Sequence, residues 1–182
     1  GYDGPWTDLE EEVRKRNLAL KFSVPAGEGT AHALLLAYQN RWNSPDQIPQ
    51  RAVDTGLIGR LGSIDDGLGG DTRRSSLSGG WRGPLAGGEF EASAYAIDYR
   101  LDLWSNFTYF LDDPVNGDQF RQFDDRRVLG FAMREAWLDE RWRLRVGLDG
   151  RRDDIERVGL CRTVARTCTT VVRDDAVIED SV

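Results

Sequence analysis

Large apolar side chains recur at every second position in several stretches of the chain. Leu18, Leu20, Phe22 and Val24 alternate with Asn17, Ala19, Lys21 and Ser23, and between His32 and Trp42 the residues Leu34, Leu36, Tyr38 and Trp42 share one face. A period of two marks a strand with one apolar face, because successive side chains of a strand point to opposite sides. From Thr72 onward Leu77, Gly79 and Trp81 stand opposite Ser76, Ser78, Gly80 and Arg82. The stretch "YAIDYRLDL" puts Tyr95, Ile97, Tyr99, Leu101 and Leu103 on one side and Ala96, Asp98, Arg100 and Asp102 on the other. Leu129, Phe131, Met133 and Trp137 form a fifth series, and Trp142, Leu144, Val146 and Leu148 alternate with Arg143, Arg145, Gly147 and Asp149 in a sixth. The pattern predicts six strands in three up-and-down pairs, joined by Pro/Gly or polar turns at 25–29, 83–88 and 139–141.

The connections differ in length in a regular way. Long polar segments follow each pair, about 43–71, 112–124 and 150–170, so every short turn falls at one end of the sheet and every long segment at the other. Outer-membrane barrels segregate their connections in this manner. Two surroundings suit such strands: a soluble antiparallel sheet wetted on one face, or a barrel whose apolar face meets lipid and whose polar face lines a lumen. In the second, Leu18, Phe22, Leu36, Ile97, Leu101, Leu144 and Leu148 together make one uncovered apolar surface. Tyr38, Trp42, Trp81, Tyr95, Trp104, Trp137 and Trp142 fall near strand ends or turns, either at membrane interfaces or in the core of a soluble sheet.

Composition narrows the choice. The net charge of -7 and the dispersal of arginines among aspartates argue against a nucleic-acid partner, which needs a basic stripe to meet phosphate. The mean hydropathy is -0.52, and nowhere is there a run of the roughly 18–20 apolar residues that a spanning helix requires. A barrel escapes that test because its strands alternate.

The segments "DQIPQRAVDTGLIGRLGSIDDGLGGDTRRSSLSGGW" (46–81) and "YAIDYRLDLWSNFTYFLDDPVNGDQFRQFDDR" (95–126) resemble the barrel portion of TonB-dependent outer-membrane receptors of Gram-negative bacteria. The resemblance implies an all-β, antiparallel up-and-down transmembrane β-barrel, of which this chain supplies about six strands of roughly 22. It further implies a lumen plug domain, uptake of a ferric siderophore or similar chelate, and energy delivered by the TonB complex through an N-terminal box. On that reading residues 1–182 are a partial barrel domain, with plug, box and signal peptide lying outside the chain, and with "VIEDSV" standing where such barrels carry a terminal aromatic residue. The expected partners are outer-membrane lipid, the plug and the remaining strands. Asp98, Arg100 and Asp102 are expected to face the lumen as a charge ladder. Arg121, Arg126 and Arg127, placed on an extracellular loop after Asp112, are candidates for meeting an anionic chelate, or else simply pair with Asp124 and Asp125.

No catalytic constellation is present, and neither enzyme activity nor a cofactor is expected. His32 has no second His or a Cys beside it in the sequence and reads as structural or solvated. The acids of "DDPVNGDQFRQFDDR" miss the calcium-loop spacing and are interrupted by Pro114, which leaves a loop turning at Asn116-Gly117. "GLIGRLG" lacks the strand-then-helix setting of a nucleotide loop. Cys161 and Cys168, in the last long connector, make a plausible disulfide in an oxidising compartment. The sequon Asn106-Phe107-Thr108 reads as accidental and as part of a strand. Two other functions fit the alternation: a secreted soluble β-sandwich or small-barrel binding module, and a passive porin.

Overall fold

The computed structural model describes residues 7–174. Seven strands form one antiparallel sheet in sequence order: β1 (Arg14–Ala26), β2 (Gly29–Asn43), β3 (Gly69–Leu85), β4 (Gly88–Ser105), β5 (Phe120–Leu138), β6 (Arg143–Val164) and β7 (Thr167–Asp174). Each strand pairs with its neighbour in the chain, and β1 and β7 end the order, so the sheet is open. One short helix, α1 (Gln50–Asp54), lies in the β2–β3 connection. No helix among the described residues is long and apolar enough to cross a membrane, which leaves crossing by strands untouched.

The hairpin turns follow from local backbone chemistry. Ala86 and Gly87 both take positive φ, +48° and +78°, the geometry that matches a two-residue turn to the right-handed twist of its strands. At the turn end, β1–β2, β3–β4 and β5–β6 close tightly. At the other end run the long connections 44–68 and 106–119.

Three expectations are corrected. The third long connector does not exist: β6 continues from Arg143 to Val164, and a two-residue turn at Ala165 and Arg166 leads directly into a seventh strand. The alternation is lost there because "RRDDIER" is polar on both faces and a register shift opposite Asp125 and Arg126 breaks the period of two. The second long connector ends at Gln119 rather than 124, so Arg121, Arg126 and Arg127 stand on β5 and not on a loop. The sequon lies just past the end of β4 at Ser105, in the loop instead of the strand. Residues 177–182, with the C-terminal "VIEDSV", lie outside the described residues.

Burial is uneven along the strands. Leu68, Tyr109, Cys161, Asp102, Ser105, Asn106, Gln119 and Thr163 are buried, all at or near the loop end. Toward the turns the sheet is a single layer with Phe22, Leu77, Leu129 and Leu148 more than half exposed.

Candidate functional site

Directly opposed residues in an antiparallel sheet share a face, so the strand register can be followed as rows across the sheet. One row reads Leu20, Leu35, Leu77, Ala96, Leu129 and Arg152 from β1 to β6. The next toward the turns reads Phe22, Ala33, Gly79, Ala94, Phe131 and Gly150, and the one after it Val24, Ala31, Trp81, Ala92, Met133 and Leu148. Phe90 and Val146, then Trp137 opposite Leu144, carry the same face to the turn rim, with Glu135 as the acid between Phe90 and Val146. Four to five rows spaced by roughly 6.7 Å make an apolar belt about 20–27 Å tall, close to the band that crosses a bilayer in outer-membrane barrels.

Aromatic residues edge this belt at the turns. The indole N–H of Trp81 donates to the Ala26 carbonyl at 2.9 Å and that of Trp137 to the Ala86 carbonyl at 3.2 Å. Both rings lie over glycines, Trp81 over Gly29 and Gly83 and Trp137 over Gly88, where a Cβ would run into the ring.

The opposite face is polar in the same rows. Lys21, Leu34, Ser78, Tyr95, Gly130 and Arg151 form one row, and Ser23, His32, Gly80, Ser93, Ala132 and Asp149 another. The apolar series of individual strands therefore do not combine as expected. Leu36, Ile97 and Leu101 lie on this opposite face, away from Leu18, Phe22, Leu144 and Leu148. Conversely, Asp98, Arg100 and Asp102 occupy the belt face, beyond its loop-side edge, rather than the face across from it. The cause is that β4 places alanines, Ala92, Ala94 and Ala96, on the belt. Small residues there weaken the signal on the very face that lines up with the neighbours' leucines.

The three candidate arginines do not converge. Arg121 donates through Nε and Nη2 to the Asp102 carboxylate and lies 5.7 Å over the Trp104 ring and 5.4 Å over Phe123. Arg126 stands on the opposite face in a two-bond pair with Asp124. Arg127 is back on the belt face, 3.6 Å from Asp98 and largely exposed. Among the described residues no three His, Cys, Asp or Glu side chains are grouped to hold a metal.

The loop end is organised by residues with no sequence signature. The Gln119 amide donates to Asp65 Oδ1 at 2.9 Å, while its Oε1 accepts from Thr163 Oγ1 and the Arg166 N–H, both at 2.8 Å. Asn106, fully buried, donates to Asp65 Oδ2 at 3.0 Å and accepts from the Tyr109 N–H, so its amide is withdrawn from any modifying enzyme. Arg166 spans from the β6–β7 turn to the carbonyls of Gly67 and Leu68 and the side chain of Asn43, with its guanidinium 4.9 Å over Trp104. Burial, and then the charge of Arg41, pull its pKa below the ordinary guanidinium value. Behind this turn Cys161 and Cys168 are disulfide-bonded, Cα atoms 5.9 Å apart. Five separate chain segments supply this cluster, which is why spacing along the sequence gives no hint of it.

No protein-family profile, curated protein or solved structure matches this chain.

In the 106–119 loop, Asp113 accepts hydrogen bonds from the Asn116 N–H at 2.9 Å, the Asn116 side chain at 3.1 Å and the Val115 N–H at 3.1 Å. These donors hold its carboxyl below the usual carboxylate range, the Asn116 N–H contributing most. A depressed folded pKa stabilises the turn above the unfolded value, near 3.9, and that stabilisation fades as pH falls through the lowered one. The protection factors of the Val115 and Asn116 amides, measured against their intrinsic exchange rates, are therefore expected to fall on acidification below about pH 4, and Asp113→Asn is expected to abolish this pH dependence. Protection that stays constant with pH in the unaltered chain would refute the assignment.

Proposed function

We propose that this chain is part of the wall of an outer-membrane transport barrel, of the TonB-dependent receptor type suggested by residues 46–81 and 95–126. The observation that carries the reading is the register, which gathers leucines, phenylalanines, alanines and tryptophans of six strands into one belt of bilayer height. A belt-face alternative in water would leave Leu20, Phe22, Leu77, Leu129 and Leu148 in contact with solvent at relative exposures of 55–64 %, an uncovered area larger than monomeric soluble proteins normally present. In the barrel the belt meets acyl chains, and the face bearing Tyr95, Tyr99, Asp124, Arg126, Asp149 and Arg151 lines the lumen. Further strands beyond β1 and β7 would satisfy the two sheet edges, since unpaired backbone groups in hydrocarbon cost several kcal/mol each. The cargo would be a scarce chelate such as a ferric siderophore. Arg126, the one candidate arginine on the lumen face, is already engaged by Asp124.

The test is lipid contact. Reconstituted into phosphatidylcholine vesicles, the chain is expected to show Trp81 and Trp137 fluorescence quenched by bromine placed near the headgroups, with single-Trp variants resolving the two. A monomer that stays in plain buffer, melts cooperatively and binds neither detergent nor vesicles would overturn the reading in favour of a soluble binding module.

A further inference from the structure

Past the belt on the same face comes a mixed row of Leu18, Ala37, Ser75, Asp98, Arg127 and Asp154, and the row beyond it reads Arg16, Gln39, Arg73, Arg100, Asp125 and Arg157. Four guanidiniums stand in it against one carboxylate. With strands roughly 4.8 Å apart, the row runs for about 24 Å across the sheet. Within the row Asp125 lies 4.0 Å from Arg157; of the carboxylates in the two flanking rows, Asp102 reaches Arg100 at 3.7 Å while bonded to Arg121, Asp98 lies 3.6 Å from Arg127, and Asp71 and Asp154 complete the set. Arg16 and Arg73 form no ion pair or hydrogen bond among the described residues, and both are exposed. Arg73 and Arg100 are directly opposed. Like charges in that position repel and weaken a sheet unless an anion lies between them.

We infer that this row binds the phosphate headgroups of anionic lipid whose acyl chains lie along the belt. The inference rests on the membrane reading of the belt and adds to it the chemistry of the lipid at its loop-side edge. Two features select this occupant. The arginines lie on the belt's own face, one mixed row beyond its loop-side edge, as phosphate lies just beyond the acyl chains in a lipid. The chain as a whole carries a charge of -7, so a general attraction to anionic surfaces is absent and any preference must come from a local array. Guanidinium is the side chain best shaped to grip phosphate oxygens in pairs, and Gln39 between Arg16 and Arg73 supplies a further donor.

The experiment compares partition of the chain into vesicles of phosphatidylcholine alone and vesicles containing phosphatidylglycerol. The chain is expected to prefer the anionic vesicles, with the preference closing in about 0.5 M salt. Arg73→Gln with Arg100→Gln is expected to lower that preference by roughly thirtyfold, to leave partition into phosphatidylcholine unchanged, and to melt no lower than the parent chain. Arg143→Gln with Arg145→Gln, an equal loss of charge at the turn end of the other face, is expected to leave the preference in place. Equal partition of the parent chain into both vesicle types overturns the lipid site while leaving the membrane reading standing; binding to neither overturns both. If millimolar inorganic phosphate removes the preference, the ligand is a free anion and the inference fails. It fails equally if the Arg73 and Arg100 variant abolishes a concentration-dependent dimer in detergent, which would place a second copy on this row.

Discussion

Phe131→Arg is expected to reduce insertion of the chain into phosphatidylcholine vesicles by a factor of about 30 or more, because an arginine on the lipid face near the bilayer midplane costs roughly 2–4 kcal/mol. Phe131 sits inside the belt, in the second row from its loop-side edge, between Ala94 and Gly150. Its neighbour Ala132 points to the other face, into the row of Ser93 and Asp149. Ala132→Arg is accordingly expected to insert nearly as well as the parent chain. The pair of variants reads the direction of the sheet and not only its stability, because the two positions share strand, depth and neighbours in sequence. Equal, small effects at both positions would mean that neither face meets lipid. A large effect at Ala132 alone would reverse the faces, so that the face bearing Asp98, Arg100 and Asp102 meets the lumen.

The second large effect is expected at the loop end. Gln119 is 3 % exposed and holds together Asp65, Thr163 and the main chain of Arg166. Leucine preserves most of its volume and none of its hydrogen bonds. Gln119→Leu leaves the Thr163 hydroxyl and the Arg166 N–H buried without this partner and removes one donor from Asp65, at about 1–3 kcal/mol for each group. A total loss of roughly 3–9 kcal/mol in the docking of the β6–β7 turn on the 44–68 loop follows. Hydrogen exchange would report it as lost protection at Arg166 and Thr163, with the amides of β3 and β4 in the belt unaffected. Loss of protection throughout the sheet would show that the loop end and the belt unfold together. Unchanged exchange at Arg166 would show that the turn is held without Gln119.

Much of the fold is legible in the residues themselves. The alternation of Leu18 to Val24, of Leu129 to Met133 and of Leu144 to Leu148 announces strands, and the turns "PAGEG" and "GPLAGG" announce where they reverse. Strand β7 and the upper half of β6 are not legible, because past the apolar belt a strand has no greasy face to reveal its period. The loop-end cluster of Asp65, Asn106, Gln119, Thr163 and Arg166 is silent for another reason: each member is an ordinary polar residue, and what distinguishes them is contact between segments far apart in the chain.

What the sequence determined by itself is the period of each strand, and with it an all-β antiparallel chain with short turns at one end. What only the tertiary structure decided is which face of one strand joins which face of the next. Side chains alternate with a period of two, so a one-residue change in pairing moves a whole series to the other side. The alternation within β4 favours Tyr95, Ile97 and Leu101 as its outer face, yet its register with Leu77 and Leu129 sets Ala92, Ala94 and Ala96 into the belt. Hydrophobicity along one strand ranks its two faces; hydrogen bonding between strands fixes which of them the sheet shares.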